Sequence, residues 1–537
     1  MAALRRAGGI TEPGHAACAC SGRGGQHLVR KFYRHSVLRS QKRRRDCTQV
    51  GAALVGAGVL ARDVRKILLW VPIDRVKKGL PAMVERERLS ELNTAPERPG
   101  AYVLYWMQQS QRAAFNPALE VAIAAANRLR LPLVVGFGLR DQLPHAHARH
   151  YAFMLQGLAE TAAALRERGI AFVIRRGSPD EVILGLAPQA ALIVCDRGYL
   201  RAQRRWRQNV ARAAGRRVLQ VEGDVVVPVA LASDKQEIGA RSLRPKIARL
   251  RERFLAPLRR GRPLITAQPL RLASDVDLDA PAQTLQSLRI DGSVAPVADF
   301  PGGQLAARRR LKEFVARGLG RYVAARALPG DPQVSMLSPY LHFGQISPVE
   351  IALAVREAGA PSSDRDSYLE ELIVRRELAV NFVLGNDRYD RYESLPGWAQ
   401  RTLALHAQDA RSHTYDYEQL AAARTHDPYW NAAMQEMRLT GFMHNYMRMY
   451  WGKKVLEWSP TPQQGHATLL RLNNSYFLDG RDASSYANVG WVFGLHDRPW
   501  PERPVFGNVR YMNAAGLKRK TDIEVYVRTW QARAAAS

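Results

Sequence analysis

The feature that most limits what this chain can fold into is a change of hydrophobic period part-way along it. Between about residues 66 and 225, apolar runs of strand length alternate with amphipathic stretches of helix length; from 301 onward only the helical period remains. Residues 67–73, 102–106, 133–137, 172–174 and 192–195 read as buried strands, and 117–129, 150–168, 179–186 and 202–214 as the helices between them. Such alternation folds as a doubly wound, mostly parallel sheet, a Rossmann-like α/β domain that receives ligands at the carboxyl ends of its strands. The later helices, expected at 305–318, 348–358, 367–384 and 427–458, need an all-α core of their own. Residues 226–300 are Pro-rich with interrupted periodicity and suit a structured connection. The expected organisation is a basic, disordered extension (1–62), an α/β domain (63–225), a linker (226–300) and a helical domain (301–537).

Charge points to the partner. The chain carries a formal net charge of +30, and such an excess of cations is relieved by a polyanion, most commonly nucleic acid, although a solvated basic surface has the same composition. Residues 1–62 hold twelve Lys and Arg against Glu12 and Asp46. That segment reads equally as a nucleic-acid arm, a transit-like extension or an overlong start. Its Gly56-Ala57-Gly58-Val59-Leu60-Ala61 run is a poor dinucleotide fingerprint, because no helix pattern follows it. Four cysteines make no disulfide framework, so a reducing, cytoplasmic setting is expected, nucleoid-associated if the cell is bacterial. No uncharged apolar run reaches membrane-spanning length.

Four stretches could carry chemistry. Ser335-Met336-Leu337-Ser338-Pro339 resembles a helix start at which a hydroxyl caps amides and further N–H groups face an anion; an ordinary N-cap would look the same. Glu370, Glu371, Arg375 and Arg376 sit at spacings that usually form surface pairs, yet a carboxylate turned into an apolar cavity would stay neutral and donate a hydrogen bond. Trp451 and Trp458 are seven residues apart on one helix face, with Arg448 a turn before Trp451. They read either as core aromatics or as an electron-hopping path. Residues 472–482 and 488–494 combine turn formers, amides and Asp479, suited to the edge of a heterocycle or to a surface loop. The set His145, His147 and His150 has metal-ligand types without a spacing that puts all three on one side, and no metal is expected there.

Taken together these residues resemble the class II photolyases of the photolyase/cryptochrome family. The resemblance runs in order over roughly 66–530, through Tyr105-Trp106-Met107-Gln108 with Arg112 and Asn116, Ala232-Ser233-Asp234-Lys235, and residues 337–347, 370–378, 447–458 and 488–494. It implies an antenna-type α/β domain joined to a helical domain holding FAD, active as FADH⁻, with a deazaflavin antenna left open. On this resemblance Tyr322, Ser335, Met336, Leu337 and Ser338 would hold the flavin phosphates and ribose. Asn473 would face the flavin N5, beside an Arg448–Asp479 ion pair. Glu371 would bond the carbonyls of a cyclobutane pyrimidine dimer, against which Met449 and Trp491 would pack. Trp451, Trp430 and Trp458 would form the proximal, middle and distal members of a redox chain, with Tyr415 as a neighbour. Arg326, Arg375, Trp500 and Arg510 would support the opened DNA. Two positions depart from the family pattern: Val334 is often polar there, and Arg375 is aromatic in some members. The activity implied is light-dependent dimer repair by a monomer, the alternatives being a cryptochrome-like photoreceptor, a 6–4 photoproduct repair enzyme or a basic DNA-binding module.

Overall fold

A computed structural model describes residues 84–536. The strand expected at 67–73, the basic extension with Cys18, Cys20 and Cys47, and the glycine-rich run at 56–61 lie outside the described residues. The first half is a six-stranded sheet: β1 (Leu89–Glu91), β2 (Tyr102–Trp106), β3 (Leu133–Leu139), β4 (Ala171–Arg176), β5 (Ala190–Asp196) and β6 (Val218–Val221), in the order β1-β6-β5-β2-β3-β4. Only the β1–β6 pair is antiparallel. β1 and β6 were not expected, since three- and four-residue strands carry too little pattern to register. Every residue of β2, β3 and β5 is buried, because helices cover both faces: α1 (Pro117–Leu129), α2 (Ala148–Arg166), α3 (Pro179–Leu186) and α4 (Arg201–Ala213). α1 starts where Asn116 accepts the Leu119 amide and Pro117 supplies a preset φ. It ends at Arg130 in the left-handed region.

The stretch expected as a structured connection carries a short helical turn at Val229–Ala232 and two longer helices, α5 (Ala240–Phe254) and α6 (Pro281–Ser287). Beyond it come α7 (Gln304–Glu313), α8 (Ser338–His342), α9 (Pro348–Glu357), α10 (Ser362–Leu369), α11 (Arg376–Gly385), α12 (Pro428–Thr440), α13 (Asn445–Trp458), α14 (Pro462–Tyr476), α15 (Ala483–Val492) and α16 (Ile523–Ala535). Two expected single helices are broken. The 367–384 stretch is α10 and α11 joined through a π-helical turn, Glu370–Arg375, a form that concentrates at functional sites. The 427–458 stretch divides at Gly441, whose φ of 69° ends α12; a Cβ there would come within 2.7 Å of Leu478 Cγ. That break folds α13 back along α12 and lets Trp430 lie against the tryptophans of α13.

Buried polar contacts lock the two halves together. Arg149, on α2, donates to the Met437, Arg438 and Tyr476 carbonyls at 3.0, 2.7 and 2.7 Å, while His150 Nε2 lies 2.9 Å from the Phe477 carbonyl. One basic turn of the α/β half thus closes the carbonyl ends of α14 and, near its last turn, α12. Arg112, fully buried, reaches the Gly344 and Gly223 carbonyls. From the other side, Glu377 on α11 accepts the Val226 and Val227 amides.

Candidate active site

The π-helical turn decides between the two neighbouring carboxylates. Glu370 turns to Arg244, bidentately at 2.8 and 3.0 Å, and to Arg375 at 3.4 Å. Glu371 turns the other way, 3.1 Å from Arg326 Nη1, which also bonds Ser367. The dry, apolar pocket expected around Glu371 is corrected: its side chain is 40% exposed. Leu372, Ile373 and Val374 take the apolar side of that turn and leave Glu371 facing a guanidinium. Arg326 lines a cavity of about 330 Å³ together with Met449, Trp500 and Arg510, all four singled out by the sequence. Asn445, Tyr446 and Lys520 line it too and were missed. The first two lie in the motif around Trp451 but face its opposite side, and Lys520 comes from far along the chain, its Nζ 4.5 Å from the Tyr446 ring centre. Trp491 adjoins this wall, since Arg510 stacks over both Trp491 and Trp500 (5.3 and 4.3 Å) and is held by Asp497 at 3.2 Å.

Arg448 and Asp479 meet bidentately, both bonds 3.1 Å. The guanidinium lies 3.8 Å over the Phe477 ring, so a mostly buried charge pair is stacked on an aromatic face. Asn473, buried at the end of α14, donates to Asn474 Oδ1, and Gly480 packs against its carbonyl. The other face of this region belongs to Trp451, edge-on to Phe477 at 5.9 Å. Trp451 is stacked on Trp430 (6.3 Å), which is in turn edge-on to Trp458 (5.7 Å). Trp430 Nε1 donates to the Trp451 carbonyl. The contacts therefore run Trp451–Trp430–Trp458, with α12 supplying the middle ring. Tyr415 touches Trp458 at 5.3 Å.

The 335–338 segment differs from its expected form. Leu337, not a hydroxyl residue, occupies the N-cap of α8, and no side chain caps the helix. Ser335 Oγ instead accepts the Tyr368 hydroxyl at 2.9 Å, and Tyr368 packs on Tyr322 and Phe314. The chain needs this geometry because Met336 stands at φ 53°, costly for a side chain other than glycine and typical of ligand-holding segments. Tyr322 and Leu337 share one apolar cluster with Leu478, the neighbour of Asp479. No direct hydrogen bond joins the Ser335–Tyr368 group to the Asn473 group among the described residues; they meet through that cluster.

The residues present fit a flavin. Trp451 Nε1 is a buried donor without a partner, a cost that folded proteins avoid unless an acceptor is supplied. The Arg448–Asp479 pair and Asn473 offer charge and amide groups to a heterocycle, and the strained Met336 segment suits a phosphate end. The three sequence-flagged histidines part company: His147 meets Asp291, His150 meets the Phe477 carbonyl, and His145 offers its carbonyl to Arg481. Among the described residues no group of three ligand side chains could hold a metal, and no helix is long and apolar enough to cross a membrane.

A second, larger cavity of about 1180 Å³ opens at the carboxyl ends of β2 and β5, where the strand order reverses. Gln108 and Gln109 line it, in a loop whose three amides, Gln108 to Ser110, all bond Asp196 Oδ2. Arg201, Gln203, His342, Arg376 and Asp482 complete much of its wall.

Solved structures place this fold in a class. A class III photolyase from Agrobacterium tumefaciens superposes with a TM-score of 0.63 at 20% identity, covering 81% of this chain and 87% of its own. A cryptochrome from Synechocystis gives 0.60 at 18% identity, covering 81% and 89%. The fold is thus the one common to photolyases and cryptochromes. Sequence narrows it: the DNA photolyase family model matches residues 103–263. The deoxyribodipyrimidine photo-lyase of Methanothermobacter thermautotrophicus is 47% identical over 83% of this chain and 98% of its own length. That of Oryza sativa is 39% identical over 82% and 89%. The chain belongs to the DNA photolyase family.

Proposed function

We infer that this protein is a light-dependent lyase that splits cyclobutane pyrimidine dimers in DNA. The observation that carries the reading is the convergence on Phe477: the Arg448–Asp479 pair stacks on one side of its ring and the Trp451–Trp430–Trp458 run ends against it. A redox path thus terminates at a charge pair and a buried amide, a short way along α13 from the Met449 cavity. FAD, when bound there in its reduced form, would supply light-driven one-electron chemistry to the cyclobutane ring.

The chain's own residues do the rest. The cavity lined by Arg326, Met449, Trp500 and Arg510 receives a dimer flipped from the duplex, a step made cheaper because damage has already weakened its stacking. A pyrimidine edge offers an N–H between two carbonyls. The Glu371 carboxylate accepts that N–H, and the Arg326 guanidinium donates to a carbonyl on which negative charge grows. Met449 and Trp491 pack on the dimer, while Trp500, Arg510 and Arg375 hold the opened strands, the basic side chains making affinity fall with salt. Tyr322 and residues Ser335 to Ser338 hold the phosphate end of the cofactor; Asn473 and Asp479 with Arg448 orient its ring. Val334 adds no polar contact there. The large cavity at the sheet's carboxyl edge suits a planar antenna such as a deazaflavin, and the protein acts as a monomer in the cytoplasm.

The decisive experiment is repair of dimer-bearing oligonucleotide by purified, flavin-loaded protein in light and in darkness. Light-dependent restoration is expected. Flavin without restoration would leave a photoreceptor, and no flavin would end the reading. Glu371→Ala should lower the repair yield with flavin still bound, and an unchanged yield would remove Glu371 from its role.

A further inference from the structure

Two neighbouring lysines of α13 meet different surroundings. Lys454 pairs with Glu457 at 2.7 Å. Lys453 is fully buried, and among the described residues no carboxylate stands within ion-pair distance of its ammonium. Its Nζ donates to the carbonyl of Val492, the last residue of α15, and lies 5.0 Å from the centre of the Trp491 ring. Gly452 permits this approach, since a Cβ there would come within 2.6 Å of Val492 Cγ2. A methionine would fill the same space without the cost of burying an unpaired charge.

The ring beside that charge is the one that adjoins the Met449 cavity. Trp491 is half-buried, and Arg510 lies 5.3 Å from the same ring. Arg510 is held by Asp497, which also accepts Trp500 Nε1 at 3.3 Å.

We propose that Lys453 is a positioning residue for the flipped dimer: its ammonium, pinned to the end of α15, holds the Trp491 ring against the lesion, and binding of dimer-bearing DNA draws a proton onto it. This rests on the reading of the Met449 cavity as the dimer pocket. Burial draws Lys453 down to about 7, with Asp497 raising it and Arg510 lowering it. A neutral amine keeps its bond to Val492 but gives up the attraction for the ring. Lys453 is already dry, so a bound dimer strips no further water from it. A DNA phosphate on Arg510 cancels the repulsion between the two cations, so the complex holds the proton more tightly than the free protein does. Affinity for dimer DNA is therefore fullest below about 7 and falls as pH rises through that value.

The test is equilibrium binding of the flavin-loaded protein, in darkness, to labelled dimer-bearing and undamaged oligonucleotides from about pH 6 to about pH 9. The wild-type preference for dimer DNA should decline across that range. Lys453→Met should abolish the decline and weaken dimer binding about tenfold at the acidic end, with binding of undamaged DNA unchanged. In a Trp491→Leu background the same change should cost less than about twofold. Equal losses on both DNAs, full additivity with Trp491→Leu, or a wild-type decline retained in Lys453→Met would each overturn the proposal. So would a wild-type preference that is flat with pH, a result that needs no variant. A wild type with no preference for dimer DNA would remove the pocket reading itself, and this role with it.

Discussion

The two halves of the molecule use buried polar groups differently. Around the α/β half's strand ends two of them are closed circuits: Asp196 accepts three loop amides and pairs with Arg207, and Asn116 bonds Tyr105, two carbonyls and an amide. In the helical half the corresponding groups are left poised, with Trp451 Nε1 unpartnered, Met336 strained and Glu371 with Arg326 half-exposed at a cavity. Satisfied networks rigidify, and unsatisfied or strained ones mark where something else must bind. The sequence motifs divide accordingly. Arg112 and Asn116, which open the family resemblance, are architectural, and the proposed site sits some two hundred residues further on.

The contrast can be broken by variants. Arg448→Met strands Asp479 in a largely buried site, so chemical denaturation of apoprotein should show a loss of about 3–5 kcal/mol, and flavin absorbance should fall. Arg149→Met strips the carbonyl ends of α14 and α12 and should cost about 2–3 kcal/mol without changing flavin stoichiometry in the folded fraction; parallel loss of flavin would erase the distinction between bracing and binding. Arg326→Met, in a half-exposed pair, should cost less than about 1 kcal/mol yet weaken dimer-DNA binding measured by titration. Trp451→Phe should leave stability near the parent's and stop photoreduction of oxidised flavin, read as bleaching under illumination.

The sheet was legible because fully buried strands leave unbroken apolar runs, and α1 because Asn116 and Pro117 mark its start. The breaks at Glu370–Arg375 and Gly441 were not, since a continuous helical period runs through both. Those breaks decide the site: one separates Glu370 from Glu371, the other inserts Trp430 between Trp451 and Trp458. The cavity wall was half legible. Arg326, Met449, Trp500 and Arg510 came from the resemblance, whereas Lys520 reaches the cavity only through tertiary folding.

Glu377 gives the finest test, because it belongs to the helical half by sequence and to the bracing by contact. Burial pushes its carboxyl up to about 8, against the lowering effect of the Val227 and Val226 amides and of Arg376. The folded protein therefore keeps a proton that the unfolded chain releases in the ordinary carboxylate range. This contribution is fully present below that range and is lost as pH rises through about 8. Glu436, raised by burial to about 7, adds to the same decline. Lys453, drawn down by burial to about 7, works in the opposite sense, its cost being relieved as pH rises above that value. The difference between parent and Glu377→Gln isolates one group from the other two. The amide keeps a carbonyl for the two backbone donors and cannot ionise, so below the ordinary carboxylate range the variant should lie within about 1 kcal/mol of the parent. Between that range and about pH 8 it should lose less stability than the parent as pH rises. Parallel curves would mean that Glu377 is ionised in the folded protein, and that this brace is an open, poised group like those around Trp451.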